Sequence, residues 1–452
     1  MQGEFANVLP LEMSTADAIR VPAQNVPVWR RTQVLVVGGG AAGLAAAVSA
    51  ARGGAAVTLL ERGAYLGGLA TGGLVILLLT MDDGSGHPII RGLCQEVVDR
   101  LAARGAATFP PESERFRNDD QLVNHWAERG LCWGKGPHHV RYSVSFDPEE
   151  LILLANELVA ESRIHILFHT QAVDSIVEKR EVKGVIVQGR SRRRAVLADV
   201  VIDTTGDGDV FMLAGAKFEL QRVVPWLWFR MGNVDDSAFT TSGPLKIFRT
   251  VRPREALVVP WGGALALTRN IDPTDVEDLT WAEIACREKI HQVIRERVKT
   301  HPGLEKAFIS EVAPQLDITE SRRLIGRRVL TTDDVNKHSA DSIGCTGNWS
   351  KYREFYEIPY SCLLAAEFDN LLTAGRCISV SHPVHHSTKE IPACFVTGEA
   401  AGAAAALAVK EGISPALLDV SLLRKQLMQQ GACLTASTEP REEAHAGRNQ
   451  GV

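Results

Sequence analysis

Closely spaced cysteines are missing from this sequence. Its eight cysteines are spread singly over 452 residues, and none belongs to a C-x-x-C pair. This spacing excludes a zinc ribbon and a local redox pair, whereas pairs distant in sequence stay open. Reduced thiols in a cytoplasm are the simplest interpretation, with most of the cysteines buried as small apolar side chains. We therefore predict a cytoplasmic location.

Long apolar runs and an excess of one charge are missing as well. The apolar run at residues 73–79 is far shorter than the roughly 20 residues of a membrane span. The first thirty residues lack the apolar core of a secretory signal, and the run after Arg30-Arg31 fits a buried strand better than an export signal. With 49 Lys and Arg against 54 Asp and Glu, the net charge is −5. We expect neither a membrane span nor a nucleic-acid partner.

The composition that is present is that of a globular protein, with 45% apolar and 23% charged residues. Disorder, collagen and fibrous repeats are excluded, and no internal repeat is found. The length predicts two or three domains, or one large domain with an inserted one.

The clearest motif lies near the start of the chain. A short apolar, β-branched run at residues 32–37 ends at Gly38, which opens a G-x-G-x-x-G sequence through Gly43. A helix-prone stretch at 44–52 and a second apolar run at 56–60 follow, and the second run ends at Glu61. A strand, glycine turn, helix, strand and acid in this order predict a dinucleotide-binding unit.

Each part of this motif has a physical task. Gly38 permits the tight turn, Gly40 lets the backbone approach a diphosphate, and Gly43 lets the helix pack on the strand. The helix N-terminus offers N–H groups and partial positive charge to the diphosphate. Glu61 can accept hydrogen bonds from the ribose hydroxyls, and it would repel a 2′-phosphate.

The choice between NAD and FAD rests on two later segments. Residues 62–73, with the sequence RGAYLGGLATGG, resemble the segment that covers the FAD diphosphate and ribitol in glutathione-reductase-like flavoproteins. Residues 198–209 resemble the strand and small-residue turn of the same proteins. Taken singly, either segment is also compatible with ordinary turns.

Further motifs resemble one family throughout the chain. The segments DNLLTAGRCIS at 369–379, VTGEAAGAAAA at 396–406 and ESRRLIG at 320–326 are similar to those of the FAD-dependent oxidoreductase family, within the succinate dehydrogenase and fumarate reductase-like flavoproteins. The stretches at 347–349 and 356–360 match the same family. The resemblance covers most of residues 32–433 and implies a fold without specifying a substrate.

The resemblance implies an α/β fold class, a Rossmann-like FAD-binding domain of the glutathione-reductase type that is discontinuous, with an inserted α+β substrate domain. The predicted parts are an N-terminal arm at 1–31, the first part of the FAD-binding domain at 32–215, the substrate domain at 216–359, the second part of the FAD-binding domain at 360–433 and a polar tail at 434–452.

Local patterns predict several elements of this fold. They are a helix over 91–101, a helix that starts after Asp147, strands at 164–168, 172–178 and 183–188, and a strand at 200–202 that rejoins the nucleotide sheet. The strands at 172–178 and 183–188 are predicted to form a hairpin.

FAD is the predicted cofactor. By resemblance, Gly375 and Arg376 lie near the ribitol and diphosphate, and Gly398, Ala401 and Gly402 lie near the flavin ring. A helix that starts near Gly398 directs its positive end at the flavin. Core packing of this Ala-rich helix is the alternative, and both can hold together. The predicted FAD-binding residues are Gly38, Gly40, Ala42, Gly43, Glu61, Arg62, Gly67, Gly68, Leu69, Ala70, Thr71, Gly72, Val173, Thr205, Gly206, Gly375, Arg376, Gly398, Ala401 and Gly402.

Catalytic candidates have weaker support than the cofactor residues. His382, His385 and His386 follow the Gly375-Arg376 element, and an imidazole with a pKa near 6.5 can donate or accept a proton. Arg322 and Arg323 can hold a carboxylate, or they can form structural ion pairs. His138-His139 lies in the cleft or on a loop. We select His385, His386, Arg322 and His139 as catalytic candidates, and we predict no metal site.

The predicted function is an FAD-dependent oxidoreductase that transfers a hydride between a small organic substrate and flavin N5. One alternative is a non-catalytic escort protein with a flavin fold. Another is a flavin-dependent reductase of an activated C=C bond that uses an external electron donor. Only one convincing G-x-G-x-x-G is present, which argues against a built-in NAD(P)H domain. Substrate, reaction direction and homo-oligomerisation stay open.

Overall fold

The computed structural model describes residues 22–133, 138–240, 245–297 and 300–436. Most of the predicted N-terminal arm, residues 1–21, and most of the predicted polar tail, residues 437–452, lie outside the described residues. The helices in these ranges are α1 Ala41–Arg52, α2 Gly92–Ala103, α3 Asp120–Ala127, α4 Pro148–Glu161, α5 Asp209–Ala214, α6 Ser237–Thr240, α7 Val276–Arg297, α8 His382–Thr388, α9 Ile391–Glu411 and α10 Val420–Gln429.

The strands of the described residues form one large sheet and several small ones. They are β1 Val28–Val37, β2 Val57–Leu60, β3 Leu77–Leu78, β4 Ala107–Thr108, β5 Val144–Phe146, β6 His165–Leu167, β7 Gln171–Glu178, β8 Glu181–Gln188, β9 Arg193–Asp203, β10 Phe218–Leu220, β11 Phe229–Gly232, β12 Ile247–Arg249, β13 Glu255–Val258, β14 Phe308–Val312, β15 Arg322–Leu324, β16 Ser342–Gly347, β17 Phe355–Pro359 and β18 Leu371–Thr373.

The large sheet has seven strands in the order β6-β2-β1-β9-β8-β7, and β18 also pairs with β9. Strand β1 is central and pairs in parallel with β2 and β9. Its last four residues, Val34 to Val37, are buried, as expected for a parallel strand covered on both faces. The predicted strand, helix and strand at the start of the motif are thereby confirmed as β1, α1 and β2.

Other predicted elements are confirmed too. Asp147 caps α4 by accepting a hydrogen bond from the backbone N–H of Glu149 at 2.9 Å, and Pro148 occupies the first turn. The predicted hairpin forms from β7 and β8, which pair antiparallel. Strand β9 joins the large sheet as expected. Because β18 pairs with β9 more than 160 residues later, two separate stretches of chain build this sheet.

Helices α1 and α9 pack with their backbones close together. A Cβ atom on Gly398 would lie 2.2 Å from the carbonyl oxygen of Ala42, and a Cβ on Gly402 would lie 2.2 Å from that of Ala46. The Ser49 hydroxyl donates to the carbonyl oxygen of Glu399 at 2.8 Å. The Ala-rich pattern therefore serves close helix packing, which is one of the two interpretations of the sequence.

Helix α9 begins at Ile391, not near Gly398 as predicted. Pro392 stands in its first turn, which is a common start signal because proline lacks an N–H that a first turn would leave unpaired. Among the described residues, α9 is the one helix long and apolar enough to cross a membrane, and 89% of its most apolar window is buried inside the fold.

The region between β9 and β18 contains an antiparallel sheet in the order β12-β13-β11-β14 and the 22-residue helix α7. The indole N–H groups of Trp226 and Trp228 both donate to Asp317, at 2.8 and 2.9 Å. This mixture of helix and antiparallel sheet fits the α+β content expected there. The boundaries at 216 and 359 stay predictions.

Candidate functional site

The carboxyl ends of four parallel strands meet at one edge of the large sheet. Val37 of β1 is level with Leu60 of β2 and with Asp203 of β9, and Thr373 of β18 is also level with Asp203. The chain segments that follow these strands line a cavity of about 770 Å³. Ligands of open α/β sheets bind at this edge, and the volume lies within the usual range for cofactor sites, about 300–1,000 Å³.

The three motif glycines have three different surroundings. Gly38 has φ = 105°, and a Cβ there would lie 2.5 Å from the carbonyl oxygen of Thr204. A Cβ on Gly43 would lie 1.7 Å from the carbonyl oxygen of Gly38, whereas a Cβ on Gly40 would meet no atom within 4 Å. The turn and the helix contact thus require Gly38 and Gly43. Gly40 leaves open space at the N-terminus of α1.

Glu61 lies at the end of β2 and lines the cavity. Its carboxylate accepts hydrogen bonds from the backbone N–H groups of Gly39, at 2.6 Å, and Gly63, at 2.5 Å. Each carboxylate oxygen has a further lone pair for a ligand hydroxyl. The backbone N–H of Thr170 donates to the carbonyl oxygen of Glu61 at 2.9 Å, so residues 170–173, which include Val173, line the same end.

The second glycine segment packs onto the first. The backbone N–H of Gly67 donates to the carbonyl oxygen of Gly39 at 2.9 Å. Gly67, Gly68, Leu69 and Ala70 line the cavity together with Ala42 and Arg62. Thr71 and Gly72 do not line it. The Thr71 hydroxyl donates to the carbonyl oxygen of Leu66 at 2.7 Å, and a Cβ on Gly72 would lie 1.9 Å from the Tyr65 hydroxyl.

The turn after β9 is organised by Asp203, which the sequence analysis did not single out. Its carboxylate accepts from the Thr205 N–H at 3.0 Å, the Val210 N–H at 2.9 Å and the Phe211 N–H at 3.0 Å. Burial raises the pKa of Asp203 to about 6, although these hydrogen bonds favour the ionised form. The result is a fixed turn in which Thr205 and Gly206 line the cavity.

Arginine side chains line the cavity, and acidic groups hold each of them. Arg376 pairs with Asp207 at 2.7 Å, and Arg62 reaches the other oxygen of Asp207 at 3.7 Å. Arg322 pairs with Asp209 at 3.1 Å. Arg322, a catalytic candidate, is therefore at the cavity but also forms the structural ion pair that was its alternative role.

The start of α9 and the residue before it also line the cavity, through Ile391, Cys394 and Lys389. A Cβ on Gly375 would lie 2.8 Å from Ala42 Cβ and 3.8 Å from Cys394 Sγ, and the Cys394 thiol donates to the carbonyl oxygen of Lys389 at 3.3 Å. Lys389 Nζ pairs with Glu390 at 2.9 Å. Burial opposes its charge, but Glu390 and Asp317 outweigh burial, so the pKa of Lys389 is raised. The sequence analysis missed Lys389, and no motif marks it.

Six predicted cofactor residues do not line the cavity. They are Gly43, Thr71, Gly72, Gly398, Ala401 and Gly402, and Ala401 is fully buried. The prediction that Gly398, Ala401 and Gly402 lie near a flavin ring is corrected in this respect. Gly398 and Gly402 contact the backbone of α1, and the first turn of α9, with Ile391 and Cys394, reaches the cavity instead.

None of the selected catalytic histidines, His385, His386 and His139, lines the cavity. His385 is 1% exposed, and its Nε2 donates to the carbonyl oxygen of Arg376 at 2.9 Å. Burial holds the pKa of His385 well below its usual range. Burial, Lys389 and Lys351 lower the pKa of His386 to about 4. Both imidazoles are neutral at pH 7, which corrects the expectation of a pKa near 6.5.

His139 stacks on Phe116 with ring centroids 4.8 Å apart, and its backbone N–H donates to the Tyr352 hydroxyl at 3.2 Å. It lies on a loop, which is one of the two placements that the sequence analysis left open for it. Within the described ranges no group of three His, Cys, Asp or Glu side chains is arranged to hold a metal ion. The buried carboxylate of Asp82 pairs with Arg141 at 2.7 Å.

Comparison with known proteins gives one match to a family and several to solved structures. The family model described as FAD dependent oxidoreductase matches residues 33–427. No curated protein matches the chain. Solved structures similar to it include p-nitrophenol 4-monooxygenase from Pseudomonas putida, with 14% identity, coverage of 89% of this chain and 87% of the other, and a TM-score of 0.49.

Two further similar structures have lower TM-scores. L-Amino acid deaminase from Proteus myxofaciens has 13% identity, coverage of 90% of this chain and 95% of the other, and a TM-score of 0.47. A geranylgeranyl bacteriochlorophyll reductase-like protein from Thermoplasma acidophilum has 16% identity, coverage of 90% and 94%, and a TM-score of 0.44. Such values say nothing about the substrate of this chain. The family match, which spans most of the sequence, shows that the chain belongs to the FAD dependent oxidoreductase family.

Proposed function

We propose that this FAD-dependent oxidoreductase transfers a hydride between a small organic molecule and N5 of its flavin. The observation that carries the proposal is the continuity of one cavity. Its lining includes Glu61, Gly40, Gly375 and Lys389, which come from four separate stretches of chain. An extended dinucleotide needs a ribose acceptor, a diphosphate cradle and a wider end in this order.

The residues present fit FAD. No atom lies within 4 Å of a Cβ built on Gly40, and the first turn of α1 has no side-chain cap, so its N–H groups can face a diphosphate. The carboxylate of Glu61 suits ribose hydroxyls. Arg376 and Arg62 supply positive charge beside the cradle, and Asp207 keeps both in place.

Bound FAD supplies the redox chemistry, and the protein supplies position and electrostatics. Near the start of α9, the helix N-terminus contributes partial positive charge, and Lys389, which pairs with Glu390, also lines the cavity. Leu316 and Ile318, 6% and 8% exposed, form an apolar wall there. Partial positive charge at a helix N-terminus favours the reduced, anionic form of a flavin.

The escort alternative is disfavoured by the family match, which covers residues 33–427 and is described as FAD dependent oxidoreductase. A closer relation to the succinate dehydrogenase and fumarate reductase-like flavoproteins is supported by the three segments that resemble them. We also propose a cytoplasmic location, which the scattered cysteines favour.

The test combines colour with turnover. Purified protein should absorb near 450 nm, where oxidised flavins absorb, at about one FAD per chain. Anaerobic addition of candidate substrates should bleach this band if the flavin is reduced by them. Addition of NADH, NADPH or dithionite, followed by an activated alkene, tests the reductase direction. A colourless protein that fails to bind added FAD would overturn the proposal.

A further inference from the structure

The segment after α10 runs along strand β16. The Ser342 hydroxyl donates to the carbonyl oxygen of Leu434 at 2.6 Å, and Arg424 donates to the carbonyl oxygen of Ser342 at 2.5 Å. The backbone N–H of Ala436 donates to Glu357 Oε1 of the neighbouring strand β17 at 3.3 Å. These bonds hold Cys433 beside the middle of β16, at the position of Cys345.

Cys345 and Cys433 belong to one small apolar cluster with Ile89, Phe355 and Ala436. Cys345 is fully buried, Cys433 is half-buried, and both are free thiols. The side chain of Cys433 packs against this cluster, and its thiol donates to the carbonyl oxygen of Thr435 at 3.3 Å. The two residues are distant in sequence, which is why the search for C-x-x-C pairs does not find them.

The surroundings make Cys433 the reactive member. Interaction with the neighbouring Cys345 thiol lowers the pKa of Cys433 to about 7 against burial, and Arg91 acts in the same direction while Glu357 opposes it. Burial raises the pKa of the six other cysteines. Thiolate is the form that attacks oxidants. Cys433 also lines a cleft of about 10 Å³, close to the volume that one water molecule needs.

We propose that Cys433 and Cys345 form a reversible disulfide when a peroxide reaches the protein. The Cys433 thiolate attacks one peroxide oxygen, the O–O bond breaks, and Cys433 becomes a sulfenic acid while the second oxygen leaves as hydroxide. Cys345 loses its proton and attacks the sulfenic sulfur, and a second hydroxide leaves. With hydrogen peroxide, two thiols and one peroxide give one disulfide and two water molecules.

This disulfide fastens the segment after α10 to the hairpin of β16 and β17. The site is separate from the FAD cavity, since neither cysteine lines it. The proposal is therefore independent of the proposed substrate chemistry, and it assigns a redox function to two residues of the chain that the flavin site does not use.

The test uses the full-length protein treated with hydrogen peroxide. After alkylation of free thiols and non-reducing digestion, mass spectrometry should show one peptide that joins Cys345 to Cys433. Titration of the unfolded protein should show the loss of two of the eight thiols, and dithiothreitol should restore both. Intact thiols, or sulfinic acid on Cys433 without the joined peptide, would overturn the proposal.

Three variants separate the steps. Cys345→Ser should accumulate sulfenic acid on Cys433, which dimedone traps, because the resolving thiol is absent. Cys433→Ser should lose no thiols at the same dose. Cys132→Ser removes the other half-buried cysteine and serves as the matched control, so it should form the disulfide as the wild type does. Equal oxidation of Cys433→Ser and wild type would contradict the assignment of the attacking thiol.

Discussion

Substitution of Gly40 by alanine tests the placement of the diphosphate most directly. Gly40 has φ = −67° and ψ = −172°, an extended conformation that alanine adopts without strain, and its Cβ would meet no protein atom within 4 Å. Replacement of glycine by alanine lowers the entropy of the unfolded chain, which stabilises the folded protein by about 0.4–1 kcal/mol. Alanine is a poorer N-cap than glycine, which acts in the opposite direction. The free energy of unfolding of the apo-protein should therefore change by less than about 1 kcal/mol.

The effect on FAD should be much larger. The new methyl group enters the space that a diphosphate must use at the N-terminus of α1. Added groups in a filled site cost about 1–3 kcal/mol, which corresponds to about 5- to 150-fold weaker binding. FAD titrations of the apo-protein, followed by flavin fluorescence, measure the dissociation constant, and urea unfolding measures stability.

Two further glycines make the comparison decisive. Gly43→Ala places Cβ 1.7 Å from the carbonyl oxygen of Gly38 and should destabilise the apo-protein itself, by about 3 kcal/mol. Gly189→Ala is the matched control, because the nearest atom to its Cβ is the carbonyl oxygen of His169 at 4.0 Å. If Gly40→Ala binds FAD as tightly as Gly189→Ala does, the diphosphate does not lie at this glycine and the reasoning is refuted.

Four other predictions concern charge. Glu61→Ala should raise the FAD dissociation constant more than tenfold, since hydrogen bonds to a charged group contribute about 1.5–3 kcal/mol each, and unchanged affinity in the same titration would contradict the ribose assignment. Lys389→Met should lower the two-electron reduction potential of bound FAD by about 30 mV, equivalent to about 1.4 kcal/mol, and Lys389→Arg should keep the wild-type potential. Dye equilibration measures this potential. Equal potentials for Lys389→Met and the wild type would show that Lys389 does not act on the flavin. Burial raises the pKa of Glu399 from 4.5 to about 7, so between these pH values the folded state binds more protons than the unfolded state. The free energy of unfolding should therefore fall as pH rises from 4.5 to about 7, by about 3 kcal/mol more in the wild type than in Glu399→Gln. The pKa of His386 is lowered, so the wild type should lose stability as pH falls from 6.5 to about 4, and His386→Asn should not show this loss. The free energy of unfolding, measured against pH, checks both predictions. A difference between variant and wild type that stays constant at every pH would contradict them.

The elements that the sequence predicts well are those with local causes. The strand, glycine turn and helix at the start of the motif follow from apolar periodicity and from turns that glycine alone permits, and Asp147 is a standard N-cap. The start of α9 was predicted too late because the glycine motif was given more weight than Pro392, although proline in a first turn is a known signal.

The site residues that the sequence analysis missed depend on contacts between distant segments. Asp207 meets Arg376 across 169 positions, and no spacing rule links them. Lys389 takes its position from the first turn of α9. The lowered pKa values of His385 and His386 follow from burial, which a sequence pattern around three histidines does not show.

The pairing of β9 with β18 has a consequence for synthesis of the protein on the ribosome. The glycine turn and Glu61 emerge within the first 61 residues. Gly375, Arg376 and Lys389, which line the same cavity, come more than 300 residues later. The nucleotide-binding cleft of the nascent chain is therefore incomplete during most of translation. Fragments that stop before residue 371 lack one wall of that cleft, so coenzyme capture should begin only when synthesis is nearly complete.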